Sequence, residues 1–206
     1  MECDPLLDQL KTATRQLHNR LEARVDILNR LGSLQAYQQL VAAFYGFYVP
    51  IEKRLDGVGL KQVGLDLASR CKVPLLLADL RLWTIDADCL PCAVALPELN
   101  SVPQNLGCLY VLEGSTLGSQ IIKRLLFQHL GVDETNGGAF FNAYGDRVRL
   151  MWDQFRQVVT QFAAENPQHS DEMVTAAQQT FIQLERWFDQ TLDRSDTVRQ
   201  TGDDRQ

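Results

Sequence analysis

No stretch of this 206-residue chain approaches the roughly 18 uninterrupted apolar residues of a membrane span, so no span is expected. Histidine is scarce. The three present, His18, His129 and His169, form no Glu-x-x-His or His-x-x-x-His spacing, which excludes a carboxylate-bridged di-iron bundle and a closed zinc site. Strand-like alternation of apolar and polar residues is nearly absent, so no glycine-rich phosphate loop can follow a strand. Five cysteines are too few for a disulfide framework. Cys89 and Cys92 form a Cys-Leu-Pro-Cys pair, but no second pair stands at a ligand spacing, and we read them as reduced structural thiols. Lys and Arg number 20 against 26 Asp and Glu, a net charge of −6 that argues against a nucleic-acid-binding surface. Met1-Glu-Cys-Asp-Pro5 shows neither the basic region nor the apolar stretch of an export signal, and a cytoplasmic protein is expected.

Helical periodicity dominates what is there. The pattern predicts a single all-α domain over residues 1–192, a bundle of about seven or eight helices, followed by a polar, disordered tail at 193–206. The first helix is expected from Pro5 to Leu28, with Leu10, Thr14, Leu17, Leu21 and Leu28 on one side. A second begins after Ser33, a good N-cap, and Pro50 should kink or shorten it. Pro74 suits the first turn of a helix over Leu75–Trp83, while Pro91 and Pro97 break the chain into short pieces. A long helix should open at Pro103 and stop at Gly131, and two more should cover Tyr144–Ala164 and Ser170–Leu192.

Two features carry chemistry. The long helix holds Gly107, Gly114 and Gly118, each costing about 1 kcal/mol relative to alanine. Either another body approaches that backbone closely or the helix bends there. On the first helix Lys11, Arg15, His18 and Glu22 share one stripe beside the leucine face. That stripe is open to two readings: a solvated flank with a His–Glu pair, or an iron-ligating imidazole oriented by Glu22 with two cations facing the acidic groups of a haem. Together the helices suggest a flat, bulky ligand between them. Small-residue helix packing is the alternative for the glycines.

These residues resemble a known family. Leu10-Lys-Thr-Ala-Thr14 leading to His18 and Glu22 is similar to the proximal helix of the haem (heme) oxygenases, and Tyr110-Val-Leu-Glu-Gly-Ser-Thr-Leu-Gly-Ser-Gln120 to their distal helix. Phe140-Phe-Asn-Ala-Tyr-Gly145 with Trp152 and Phe155 resembles later helices of the bacterial, bacteriophytochrome-associated branch. The resemblance implies the haem oxygenase fold. It also implies cleavage of haem, cofactor and substrate at once, by O2 and external electrons to biliverdin, carbon monoxide and ferrous iron. His18 would be the axial ligand, Glu22 its hydrogen-bonding partner, and Lys11, Arg15, Tyr110, Tyr144 and Arg147, or Arg149 in its place, would border the haem and its propionates. Gly114 and Gly118 would let the distal backbone lie on the macrocycle. Ser119 departs from the commoner second glycine, and Ser115 stands where many members carry an aspartate. Glu113, one position off the glycine face, reads as a structural or remote hydrogen-bonding residue. An electron-donor protein (ferredoxin, flavodoxin or reductase) and a bacteriophytochrome receiving biliverdin are the implied partners. A non-enzymatic haem sensor or carrier is the main alternative. A helical thiamin-metabolising enzyme, with Cys108 as nucleophile, is a remoter one.

Overall fold

The computed structural model describes residues 5–55 and 59–200, and side chains as far as Leu192. Among these residues there is no strand. The helices are α1 (Pro5–Val25), α2 (Ile27–Arg30), α3 (Leu34–Leu55), α4 (Val73–Leu82), α5 (Val102–Leu130), α6 (Ala139–Asn142), α7 (Val148–Glu165) and α8 (Ser170–Gln200), with short 3-10 turns between them. Among the described residues no helix is long and apolar enough to cross a membrane. The all-α expectation holds. Of the expected 193–206 tail, α8 runs helically to Gln200 rather than ending at Leu192, and residues 201–206 lie outside the described residues.

The first helix is shorter than its leucine pattern suggests. Asp26 takes a left-handed conformation, φ 44°, which short polar side chains tolerate, and this ends α1. Leu28 is therefore not on the core side but 60% exposed on the separate turn α2. Pro50, by contrast, does not stop α3. Proline cannot donate to the carbonyl four residues back, that of Gly46. That carbonyl instead accepts from the Ala93 amide at 2.9 Å, so the broken ladder position is satisfied by the loop after Pro91. The approach is tight: a Cβ on Gly46 would overlap the Pro91 carbonyl and lie 2.6 Å from the Trp187 ring. Gly131, φ 65°, caps α5 where its left-handed conformation was expected.

Helix α8 is the spine. Its partners along α1 rise in step: Gln9 meets Asp171, the Ala13 carbonyl accepts from Gln178, and Arg20 pairs with Glu185. The two helices are therefore parallel. Helix α5 is parallel to α8 as well, with Ser101 on Glu172, Gly107 against Met173 and Ala176, and Cys108 beside Thr180. Behind them Tyr37, Phe47, Phe155 and Phe188 are fully buried, and Phe44 packs against Phe140 and Phe188 at ring distances of 4.9 and 5.1 Å. The short α6 is held by the buried Asp79 carboxylate, which accepts from the Ala139 and Phe140 amides at 2.9 Å each.

Candidate functional site

Two parallel helices on a common spine hold a defined register, and one contact sets it. The Tyr110 hydroxyl of α5 comes close to the Thr14 side chain of α1, and the Thr14 hydroxyl donates to the Leu10 carbonyl at 2.7 Å. One turn further along each helix, about 6 Å at 1.5 Å per residue, stand His18 and Gly114. A turn beyond those come Glu22 and Gly118. The histidine stripe and the glycine run thus lie at matching heights, past the point where the helices touch. Trp152 of α7 lies 5.7 Å from Tyr110 and stacks on Phe155, also at 5.7 Å.

His18 is half-exposed, 52%, with its ring edge-on to the buried Phe181 of α8 at 5.9 Å. Its Nδ1 lies 3.5 Å from Glu22, long for a hydrogen bond but close enough to bias the ring's orientation. The other ring nitrogen is the one left for a ligand. Lys11 and Arg15 are exposed on the same flank. A neutral imidazole suits iron, and two free cations suit carboxylates.

The glycines divide sharply. A Cβ on Gly107 would overlap the Met173 carbonyl oxygen and sit 2.9 Å from Ala176 Cβ, so Gly107 serves close packing of α5 on α8. A Cβ on Gly118 meets nothing within 4 Å, and one on Gly114 meets only Trp152, at 3.7 Å. Protein packing does not require glycine at these two positions. The residue types present therefore fit a flat haem: an exposed imidazole on α1 and, at a matching height on α5, a backbone left bare by two glycines.

Ser119 is buried and its hydroxyl donates to the Ser115 carbonyl at 3.4 Å; the Ser115 hydroxyl donates to the Leu112 carbonyl at 2.8 Å. Both serines turn back on their own helix, as helical serines do. Arg147 is exposed in the turn before α7, and Arg149 lines an open depression of about 320 Å³ beside Leu117 and Gln120. These two lie on the α7 side of the glycine run.

Tyr144 enters a different group. Its hydroxyl donates to Glu113 at 2.6 Å and accepts from Lys72 at 2.6 Å, while Lys72 reaches Glu113 at 3.1 Å and Arg70 pairs with the other Glu113 oxygen. The side chains of Arg70, Lys72 and Glu113 are only 4%, 4% and 1% exposed. Burial pushes the Lys72 ammonium below its ordinary range, opposed by the Glu113 charge. Burial and the Glu113 carboxylate both push the Tyr144 phenol up. Sequence reading missed Arg70 and Lys72, which lie in a stretch without periodicity. The unexplained carboxylate beside Gly114 was the one signal that a buried cation had to exist.

Among the described residues Cys71, Cys89, Cys92 and Cys108 form no disulfide. Cys108 is fully buried, and burial raises its thiol to about 12, which removes it as a nucleophile. Among the described residues no group of three or more His, Cys, Asp or Glu could hold a metal ion by itself.

A family model described as heme oxygenase matches residues 4–65 and 93–190. The fold is similar to that of the NO- and CO-bound heme oxygenase from Neisseria meningitidis, with a TM-score of 0.78 at 17% identity, covering 91% of this chain and 92% of that one. No curated protein matches the sequence.

Proposed function

The chain belongs to the heme oxygenase family, and from that premise we propose that it cleaves haem with O2 and electrons from an external donor, releasing biliverdin, carbon monoxide and ferrous iron. The observation that carries the reading is the register of α1 and α5, with His18 and Gly114 one turn past the Thr14–Tyr110 contact. Haem, when bound, supplies the iron that activates O2 and the macrocycle that is consumed.

The rest is the work of the chain. His18 would hold the iron through the ring nitrogen that Glu22 does not engage. Lys11 and Arg15 neutralise propionates, with Tyr110 at the haem edge. Gly114 and Gly118 give the backbone close approach on the opposite face, where a side chain would stand off the ring. Ser115 and Ser119 keep their hydroxyls on helix carbonyls, so backbone shapes that face more than acidic side chains do. Among the described residues no strand exists to build a dinucleotide-binding unit, which makes a separate ferredoxin, flavodoxin or reductase the natural electron source. A bacteriophytochrome is the proposed recipient of biliverdin.

The test is a hemin-loaded sample given ascorbate in air. The Soret band should decay while biliverdin absorbance and carbon monoxide appear. A Soret band that persists with ascorbate and with a reduced ferredoxin alike would contradict the enzyme and favour a haem carrier, the reading that the missing distal aspartate at Ser115 supports.

A further inference from the structure

Glu113 stands on the glycine-bearing helix, but its side chain enters a buried set of charges. Around its carboxylate lie Arg70, Lys72 and the Tyr144 hydroxyl, with Glu52 held by the Lys72 and Val73 amides at 2.5 and 3.3 Å and the buried Tyr48 within reach of both carboxylate charges. Arg70 also donates to the Met151 carbonyl at 3.2 Å, and Lys72 to the Arg70 carbonyl at 2.6 Å. The cluster thereby ties together α3 through Glu52, the loop before α4, α5 one residue before Gly114, the turn before α7, and α7 through the Met151 carbonyl. Two cations and two carboxylates balance.

Burying such a set is costly, and apolar residues of similar volume would hold the same pieces together at least as well. What ions add is fixed direction: each oxygen of Glu113 is addressed by its own cation, so the helix can neither slide nor rotate without leaving a charge unpaired. Arg70 and Lys72 lie between the two matched segments of the family model, at 4–65 and 93–190, so the cations belong to a part of the chain outside that match.

We propose that Glu113 is a positioning residue: its buried pairs with Arg70 and Lys72, completed by Tyr144, clamp the back of α5 and set the height of the Gly114–Ser119 backbone over the ligand. This rests on the haem reading for the identity of that ligand.

Glu113→Gln keeps the shape and removes the charge. In the protein without hemin, amide exchange at 112–119 and 70–73 should quicken about tenfold or more while helix content by circular dichroism is kept. With hemin bound, the one uncompensated positive charge should lower the pH midpoint of the ferric protein's alkaline colour change. Adding Lys72→Met to Glu113→Gln restores charge balance and should return the midpoint towards wild type, a rescue that lost packing alone would not show. Unchanged exchange at 112–119 together with an unmoved midpoint overturns the clamp. If Glu113→Gln does not fold, Tyr144→Phe serves instead: a smaller quickening of exchange at 112–119 supports the clamp, and unchanged exchange overturns it. If wild-type protein binds no hemin, the haem reading fails on its own, and the exchange data alone decide the clamp.

Discussion

A glycine inside a helix has two distinct causes, and Gly107 and Gly118 separate them. Gly107 has another backbone against it; Gly118 has open space. Gly107→Ala must push α8 away from α5 and should cost about 2 kcal/mol or more, in the range of overpacked cores. Gly118→Ala meets no atom and gains helix propensity, so it should stabilise the protein without hemin by up to about 1 kcal/mol. Urea unfolding of the two variants checks both signs. On the haem reading, Gly118→Ala should also weaken hemin binding, because its methyl enters the face that the ligand needs. In the sequence the three glycines are equivalent, since what lies opposite each one is decided by α8 and α7. The histidine stripe was legible because its four residues are local to one helix. The cations facing Glu113 were not, because they come from a distant loop.

The helices themselves were legible wherever the chain punctuates itself, as at Gly131. The break at Asp26 was not, because a left-handed aspartate leaves the apolar spacing intact and only the exposure of Leu28 betrays it. Nor was the continuity of α3 through Pro50, which depends on the Ala93 amide reaching the Gly46 carbonyl. The start of α5 has a similar tertiary component. The Ser101 hydroxyl accepts from the Gln104 amide and donates to Glu172 of α8, whose other oxygen meets His169 at 3.0 Å. Ser101→Ala should cost about 1 kcal/mol through the lost cap. The hydrogen bond from Ser101, and then that from His169, hold the Glu172 carboxyl below its ordinary value. A carboxyl lowered on folding contributes stability that is fully present above its unfolded value, about 4.3, and is lost as pH falls through the folded value. Glu172→Gln should therefore flatten the acid limb of the urea midpoint between about pH 5 and pH 2. An acid limb as steep as wild type would count against this linkage.

For the whole molecule, the decisive feature is that α1 and α5 share one spine. Parallel docking on α8 fixes their relative height, with Arg20 on Glu185 and Arg24 on Asp189 pinning the C-terminal half of α1. Exposed ion pairs of this kind contribute little singly, so loss of one should leave the fold intact while loosening the His18 end of α1. Arg20→Ala combined with Arg24→Ala should weaken hemin binding several-fold and move thermal stability only slightly, measured by Soret titration and by melting. The measurement that bears most directly on the central claim is a hemin titration of wild-type protein and His18→Ala side by side, with circular dichroism to show that both are folded. The account predicts a one-to-one Soret complex for wild type and its loss, or a blue-shifted and far weaker band, for His18→Ala. An identical complex in both proteins would contradict it, because the iron would then be held by a residue other than His18.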